Sequence, residues 1–313
     1  MSKLLTTTAL VLLLSVSAFT DARAEYRLTV LADNPIVYYD FDDGTSANGD
    51  TAHNSGTFGS AHDGTYTNDV ALVSGAASIP GTAAGFDGGN DHVSSTTLNN
   101  FGSNMGAGFS VEFWINTTES SLRTVTGMLN QNSGMGWKVE LNRRSDLAEE
   151  TGVTNFWLRA SNYKNLGAHI TTDIYDGQWH HVVWVVNDPT ANDVAVYVDS
   201  LPQTLTMVAE SPSSFMNFEF PIAIGAANSR DTVTSLMNGL LDEFAIFDTP
   251  LSQERVEAHF AAAVPEPSTF VLALIGLLGW LGCVRRRGYL AERLPAATTG
   301  DRHGKKSKPD RSK

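Results

Sequence analysis

The chain has 313 residues, of which 42% are hydrophobic, and its formal net charge is −13 at pH 7. The charge is unevenly distributed, since residues 25–263 carry nine Lys and Arg against 29 Asp and Glu, a net charge of about −20. A surface this acidic repels nucleic acid and anionic lipid, and it suits divalent cations, neutral glycans or basic partners. The only cysteine, Cys283, excludes an internal disulfide, which a domain of this size does not need.

The first 24 residues have the pattern of a secretory signal peptide. Lys3 gives a positive start, residues 9–18 are apolar, and an A-x-A cleavage pattern ends at Ala24. We therefore expect export and a mature chain that begins at Glu25. The alternative is an N-terminal helix that belongs to the core.

Residues 25–263 contain short apolar runs that alternate with turn residues, a rhythm typical of an all-β sandwich. The run NPIVYYDF predicts a first strand, and a long polar loop follows it. FSVEFWINT predicts a half-buried strand, because its residues alternate between two faces. Its apolar face comprises Phe109, Val111, Phe113 and Ile115, and its other face comprises Ser110, Glu112, Trp114 and Asn116.

Further elements follow in chain order. HHVVWVVND and DVAVYVDS predict a hairpin across the turn sequence DPTAND. FEFPIAIGAAN and LMNGLLDEFAIFDTPL are the last strand-like runs. SQERVEAHFAAA is the one clear helix predicted between residues 25 and 263, with Ser252 as its N-cap.

Six segments then point to a known family. They are NPIVYYDFDDG, GFDGGNDHVS, FSVEFWINT, DGQWHHVVWVV, VAVYVDSLP and MNGLLDEFAIFDTPLS. Their order resembles that of LamG-like jellyroll domains of the concanavalin A-like lectin/glucanase superfamily, over about residues 34–260. The resemblance implies an all-β fold for residues 25–263, a two-sheet antiparallel jellyroll sandwich whose aromatic side chains fill the space between the sheets. Ser200 stands where the family usually has Gly, so we expect a different turn geometry there.

The tryptophans and paired histidines of these segments favour structural roles. Trp114, Trp179 and Trp184 are most simply core or strand-end residues, with sugar stacking as the alternative. His180 and His181 are adjacent on a predicted strand, so they point to opposite faces and do not form one site.

No catalytic residues are predicted. Retaining glycoside hydrolases of related jellyrolls place paired carboxylates on one strand face, in the pattern E-x-D-x-x-E. That pattern is absent, and GLLDEF has Leu240 where its first Glu would stand. We therefore predict a protein that is not an enzyme.

A Ca²⁺ site is the one cofactor that the resemblance implies, since members of the superfamily often hold calcium at the sandwich rim. Calcium takes six to eight oxygen ligands and needs no compact motif. The candidate ligands are Asp87 and Asp91 with Asp242, and the alternative cluster is Asp40 with Asp42. The competing interpretation is that the aspartates of DGGND only form Asx-turns.

Four aromatic residues near loop-like sequence are candidates for stacking on a glycan. They are Tyr66, Trp137, Trp157 and Tyr163. Core packing is the alternative for each of them.

The segment VPEPSTFVLALIGLLGWLGCVRRR spans residues 264–287. Its apolar part has 15 residues, about 22 Å of helix, which is short for a membrane span. With its Pro-Glu-Pro start and arginine cluster it resembles the PEP-CTERM sorting signal of Gram-negative bacteria. The resemblance implies a short transmembrane helix that anchors the chain until an exosortase recognises Pro265, Glu266 and Pro267, cleaves nearby and passes the protein to the cell surface. Residues 288–313 form a basic tail that departs from the family and is predicted to be disordered.

Together these features predict an exported, non-catalytic binding module at the cell surface or in the extracellular matrix. We expect its partner to be an extracellular polysaccharide or another glycan, bound with or without calcium. The alternatives are a structural surface protein without a glycan ligand and a divergent glycoside hydrolase.

Overall fold

The computed structural model describes residues 23–76, 79–97, 106–119, 121–129, 135–141, 153–160, 162–210, 212–213, 221–229, 232–264 and 280. The chain divides into two compact units, Met1–Pro265 and Glu266–Lys313. The described residues do not include residues 1–22 of the expected signal peptide or the basic tail. Of the expected sorting signal they include only Val264 and Trp280. Among the described residues, no helix is long and apolar enough to cross a membrane.

The first unit contains two large antiparallel sheets, with strands numbered in chain order. The eight-stranded sheet has the order β14-β13-β12-β7-β19-β5-β4, and β1 also pairs with β19. Its strands are β1 (Val37–Tyr39), β4 (Ala71–Ser74), β5 (Thr82–Asp87), β7 (Phe109–Asn116), β12 (His180–Asp188), β13 (Asp193–Val198), β14 (Leu201–Pro202) and β19 (Asn238–Phe247). Their antiparallel pairing agrees with the predicted jellyroll sandwich.

The nine-stranded sheet has the order β15-β11-β10-β9-β8-β16-β6-β3-β2. Its strands are β2 (Thr51–Ala52), β3 (Gly64–Thr67), β6 (His92–Thr97), β8 (Arg123–Leu129), β9 (Gly136–Leu141), β10 (Thr154–Arg159), β11 (Asn165–Ile170), β15 (Thr206–Ala209) and β16 (Pro221–Ile224). A small separate pair comprises β17 (Ala227–Ser229) and β18 (Thr232–Thr234). The predicted polar loop therefore contains β2, the start of β3 and a short 3-10 helix at Gly59–His62.

Among the described residues of the first unit, two α-helices accompany the sheets, α1 at residues 23–31 and α2 at Gln253–Ala263. Helix α2 is confirmed together with its cap, because the Ser252 side chain accepts a hydrogen bond from the Arg255 backbone N–H. Helix α1 was not predicted, because its sequence overlaps the expected cleavage site. Tyr26 and Val30 lie one helical turn apart and are fully buried, so they define the face of α1 that packs on the protein.

The main core lies between the two sheets. The predicted apolar face of β7 points into it and is fully buried, as the alternation of FSVEFWINT indicated. Trp184 lies at the centre, with its ring centroid 5.3 Å from that of Phe109, 5.8 Å from Phe156 and 6.3 Å from Trp137. The core interpretation of Trp184 is therefore confirmed.

The opposite face of β7 differs from the prediction of a half-buried strand. Glu112 is 0% exposed and Trp114 is 3% exposed, and a second apolar cluster forms around them. The physical reason is that α1 and α2 both contribute to this cluster, through residues such as Tyr26 and Val256. The sheet is thus covered on both faces where β7 runs.

The predicted hairpin of β12 and β13 is present, with antiparallel pairing from Val182 to Asp188. The turn that follows β13 has positive φ angles at Asp199 (51°) and Ser200 (65°). Two consecutive left-handed residues form the hairpin turn that usually carries Gly at its second position. Ser200 therefore keeps the backbone conformation that Gly favours, and the expected change in geometry is not seen.

Candidate functional site

The outer face of the nine-stranded sheet carries polar side chains in rows that cross neighbouring strands. The core-facing residues of β9, β10 and β11 are apolar, so the alternate residues of these strands point outward. Strand pairing aligns the outward residues into two rows across β8, β9, β10, β11 and β15. The first row comprises Thr124, Glu140, Asn155, His169 and Thr206, and the second comprises Gly127, Lys138, Trp157, Gly167 and Val208.

The first row contains buried polar groups. The Asn155 amide nitrogen donates to Glu140 Oε2 at 3.1 Å, and the other Glu140 oxygen forms an ion pair with Lys138. Asn155 and Thr124 are each 1% exposed, yet Asn155 Oδ1 and Thr124 Oγ1 have no hydrogen-bond partner among the described residues. A buried polar atom without a partner is costly, which sets this row apart from the apolar rows that face the core.

The second row places a glycine beside an aromatic ring. A methyl group at Gly167 would make ordinary contacts, 3.7 Å from Asn155 Oδ1, 3.7 Å from His169 Nε2 and 3.6 Å from Val208 Cβ. Gly167 is the cross-strand partner of Trp157, so no side chain of β11 stands beside the indole at this position. On the other side, Lys138 Nζ lies 5.4 Å from the centroid of the Trp157 ring.

An arginine and a tyrosine lie where β10 turns into β11. The guanidinium carbon of Arg159 is 5.2 Å from the centroid of the Tyr163 ring, and Tyr163 is 57% exposed. Arg159 pairs across the strands with Asn165. Arg159 Nε and Asn165 Oδ1 are both buried and have no hydrogen-bond partner in the described part of the chain.

The four aromatic stacking candidates fall into two groups. Trp157 and Tyr163 belong to this outer surface, and Trp157 is only partly buried. Tyr66 and Trp137 are 0% exposed and belong to the main core, where Tyr66 donates a hydrogen bond to Asp43 at 2.7 Å. Neither buried ring offers a free face in this arrangement. Sequence reasoning missed Lys138, Glu140, Asn155, Gly167 and His169, although the period-2 pattern of WKVEL, TNFWLR and LGAHI carries the signal.

The structure brings two of the first three calcium candidates together. Asp91 accepts hydrogen bonds from the backbone N–H groups of Asp87 at 3.1 Å and Asp69 at 3.2 Å. Asp87 accepts from the Gly89 N–H at 2.6 Å, which is an Asx-turn. Asp242 lies apart, since Asp87 pairs with Asn238, four residues earlier on β19 and about 13 Å away along the strand.

The alternative pair, Asp40 and Asp42, already binds positive charge from α1. Arg27 Nε lies 3.2 Å from Asp40 Oδ2, and Arg23 forms an ion pair with Asp42. No group of three or more His, Cys, Asp or Glu side chains among the described residues is arranged to hold a metal ion.

Asp242 and Glu243 form a buried acidic pair at a bulge in β19. The register shifts at this point, and Glu243 has a φ of 52°. Burial raises the pKa of Asp242 to about 8 against backbone hydrogen bonds that lower it. Burial also raises the pKa of Glu243 well above its usual range, and the neighbouring charge of Asp242 adds to the effect. Tyr38 donates a hydrogen bond to Glu243, and both carboxyl groups are at most 2% exposed.

A second buried network joins β7 to both helices. Glu112 contacts His181 Nε2 and His259 Nδ1, each at 2.8 Å, and Tyr26 donates to Glu112 at 3.0 Å. The other ring nitrogen of His259 lies 2.7 Å from Asp33, which follows α1. Burial alone would raise the pKa of Glu112, but the charge of His259 and hydrogen bonds with both histidines hold it below its usual range.

The histidines predicted to be structural occupy structural positions. His181 is 0% exposed within this network, and His180 lies on the opposite side of the strand, 2.8 Å from Asp199 and 3.2 Å from Asp176. Trp114 donates to the Tyr26 hydroxyl at 3.1 Å and stacks on Phe260 of α2. These contacts use the side chains for packing and for holding the helices.

Comparison with protein families identifies the domain. Residues 87–257 match the family model of the concanavalin A-like lectin/glucanases superfamily. The chain belongs to this superfamily. Residues 263–287 match the PEP-CTERM protein-sorting motif, which indicates export and sorting to the cell surface. Both resemblances found in the sequence are confirmed, and no curated protein matches the chain.

Solved structures of binding domains share the superfamily's fold with this chain. The binding domain of botulinum neurotoxin serotype D has 16% sequence identity and a TM-score of 0.53 over 73% of this chain and 51% of its own. The binding domain of botulinum neurotoxin DC, solved in complex with SialylT, has 15% identity and a TM-score of 0.55 over 74% of this chain and 52% of its own. The chain thus spans about half the length of these toxin domains.

A smaller domain matches along nearly its whole length. Domain 4 of an extracellular arabinanase from Geobacillus stearothermophilus, solved in complex with arabinotriose, has 19% identity and a TM-score of 0.51. The match covers 72% of this chain and 98% of that domain. At these identities the likeness demonstrates the fold.

Proposed function

We propose that this protein is an exported, non-catalytic carbohydrate-binding module that binds its ligand on the outer face of the nine-stranded sheet. The observation that carries the proposal is the partly buried Trp157 ring on this outer face, whose cross-strand neighbour Gly167 has no side chain to cover it. A sugar ring has an apolar face that packs on an indole and hydroxyl groups at its edge. The hydroxyl groups would contact polar side chains beside the Trp157 ring, such as Lys138, whose Nζ lies 5.4 Å from the ring centroid.

Two of the similar structures were solved as complexes, and their ligands support the proposal. Domain 4 of the arabinanase was solved with arabinotriose, and a toxin binding domain was solved with SialylT. These ligands are properties of those proteins, and they make a glycan the first class of ligand to test here.

A glycoside hydrolase is disfavoured by the position of the acidic pair. Asp242, with its raised pKa, resembles a general acid, and Glu243 beside it is a second carboxyl group. Both are at most 2% exposed, and Asp242 shares its buried surroundings with Trp114 beneath the helices. A polysaccharide cannot reach them without removal of that cover, so the pair is better explained by packing than by catalysis.

The experiment is a glycan array probed with the exported protein and its variants. Trp157→Ala is expected to abolish the signal of the bound glycan, and Gly167→Ala to reduce it by adding a methyl group on the strand beside the indole. The new methyl group would make only ordinary contacts of 3.6–3.7 Å, so the fold tolerates it. Trp179→Ala is the matched control, because Trp179 packs against the helix-covered cluster of the other sheet. A blank array would instead favour the structural surface protein.

The sorting route is a separate part of the proposal. We propose that an exosortase of a Gram-negative-type bacterium recognises Pro265, Glu266 and Pro267 and removes the C-terminal segment. The match of residues 263–287 to the sorting motif supports this. Mass spectrometry of the mature C-terminus tests it, and a surface protein that retains residues 288–313 would contradict cleavage at the motif.

Calcium dependence is a further proposal, and we assign it to Asp40 and Asp42. These carboxylates already attract the cationic side chains of Arg27 and Arg23, whereas the oxygens of Asp91 are engaged by backbone N–H groups. In the mature chain, which is expected to begin at Glu25, Arg23 is removed, so calcium would compete with Arg27 alone for the carboxylate oxygens. Calorimetric titration is expected to detect calcium uptake that Asp42→Asn weakens, and no heat with no rise in melting temperature would reject the proposal.

A further inference from the structure

The positive charge of this acidic domain is concentrated in one part of the chain. Six of the nine Lys and Arg between residues 25 and 263 lie between residues 123 and 164, whereas only four of the 29 Asp and Glu do. Lys138 points outward from the nine-stranded sheet. Arg159 lies two residues after Trp157 on β10 and so on the same face of the strand, and Lys164 follows in the turn to β11. Three of the six cations, Lys138, Arg159 and Lys164, therefore lie on or beside the outer face that carries Trp157.

Arg159 is the cation best placed to contact a ligand. Its Nε is buried and has no hydrogen-bond partner among the described residues, and the guanidinium lies over the ring of the exposed Tyr163. The ring therefore supports the guanidinium from one side. A planar guanidinium binds a carboxylate or sulfate through two parallel hydrogen bonds, which a neutral hydroxyl cannot match.

The nearby carboxylates are already engaged. Of the carboxylates that the structure describes here, Glu140 is held by Lys138 and by the Asn155 amide, and Glu210 accepts two hydrogen bonds from Asn165, at 2.9 and 2.8 Å. The charges of Lys164 and Arg159 also act on Glu210, so an anionic ligand would compete with it. Salt also screens the repulsion from any carboxylate more than about 8 Å away at physiological ionic strength. An anionic group can therefore approach Arg159 although the domain as a whole is negative.

We propose that Arg159 selects polysaccharides that carry carboxylate or sulfate groups, with Lys138 and Lys164 adding positive charge beside it. This inference rests on the proposed glycan-binding function and specifies its ligand class. It also revises the expectation from overall charge, which favoured neutral glycans.

The test is affinity electrophoresis of the exported protein in gels that contain polygalacturonate, dextran sulfate or neutral dextran. We expect retardation by at least one anionic polymer, weakened by high salt, and little retardation by dextran. Arg159→Gln is expected to lower the affinity about tenfold, and Arg159→Lys to lose less, because it keeps the charge but not the planar fork. Arg255→Gln, the same charge change on α2, is the control and is expected to bind like the wild type.

The outcomes separate the proposals. Retardation by polygalacturonate alone identifies a carboxylate ligand, and retardation by dextran sulfate alone identifies a sulfate ligand. Equal retardation by dextran, or unchanged anionic binding in a folded Arg159→Gln variant, overturns the charge selection and leaves glycan binding intact. Failure of all three gels together with a blank glycan array overturns both proposals. If Arg159→Gln does not fold, the proposal is tested by the affinity of Arg159→Lys and by the salt dependence of retardation in the anionic gels.

Discussion

Glu112 of β7 and His259 of α2 are 147 residues apart in the chain, yet their side chains meet at 2.8 Å and both are 0% exposed. The second ring nitrogen of His259 contacts Asp33, and Arg255 holds the same Asp33 carboxylate at 2.7 Å. One histidine therefore links the sheet, the segment after α1 and the helix that precedes the sorting motif. This contact explains why the outer face of β7 is buried.

Glu112→Gln is expected to destabilise the domain by about 3 kcal/mol or more, because it leaves the charge of His259 buried without its main partner. Urea unfolding followed by tryptophan fluorescence measures the change. Glu257→Gln on the exposed side of α2 is the matched control and should change stability by less than about 0.5 kcal/mol. Equal, small effects of the two substitutions would mean that the network does not hold the helices.

His259 makes the stability of the domain depend on pH. Burial alone would lower the pKa of His259, but the charge of Glu112 and hydrogen bonds with Glu112 and Asp33 raise it above 6.5. A raised histidine pKa stabilises the folded state fully below pH 6.5, and the contribution is lost as the pH rises through the folded-state value. His259→Gln should therefore have a flatter decline of stability above pH 6.5 than the wild type.

Unfolding free energies measured from pH 5 to 9 test this expectation. His53→Gln is the control, since the His53 side chain is 68% exposed, and it should follow the wild-type curve. A His259→Gln curve parallel to that of the wild type would contradict the assigned role.

Glu243 is expected to lower the stability of the folded domain as the pH rises, in the same direction as His259. Its pKa is raised by burial and by Asp242, so the folded state loses stability as the pH rises above the ordinary glutamate value. Glu243→Gln keeps an acceptor for the Tyr38 hydroxyl and removes the titrating group. The variant should gain melting temperature relative to the wild type between pH 5 and pH 8, whereas a constant difference at both pH values would reject the assignment.

Ser200→Gly is expected to stabilise the domain by about 0.5 to 1 kcal/mol. Ser200 has a φ of 65°, which is unfavourable for a residue with a side chain and free for glycine. Ser200→Ala separates the backbone effect from loss of the hydroxyl group, because alanine keeps the strain. Thermal unfolding should rank Gly above both Ser and Ala, and a destabilised glycine variant would show that the turn carries little strain.

Trp184 and Trp157 should respond differently to truncation. Trp184 is 1% exposed between Phe109, Phe156 and Trp137, so Trp184→Ala should cost about 3 to 5 kcal/mol. Trp157 is only partly buried on the outer surface, and Trp157→Ala should cost much less while removing glycan binding. Denaturant unfolding of both variants checks this, and a comparable loss in Trp157→Ala would assign that ring to the core.

Local patterns in the sequence were sufficient for the fold class and the sorting motif. Alternation with a period of two shows which residues of FSVEFWINT share a face, and the Pro-Glu-Pro start with its apolar run and arginines is a linear signal. Each of these patterns lies within one segment, so it can be recognised without knowing which other segments of the chain that segment contacts. Helix α1 was missed because the same residues also fit a cleavage site, and nothing local indicates that Tyr26 contacts Glu112.

The candidate site depends on pairing between strands that are distant in sequence. Period two places Asn155, Gly167 and His169 outward, but only the register of β10 with β11 makes Gly167 the neighbour of Trp157 and of Asn155 Oδ1. The sequence also does not distinguish Tyr66 from Trp157, because both are aromatic residues near loop-like segments. Burial separates them, because the exposure of a ring is set by what the other sheet and the helices pack against it.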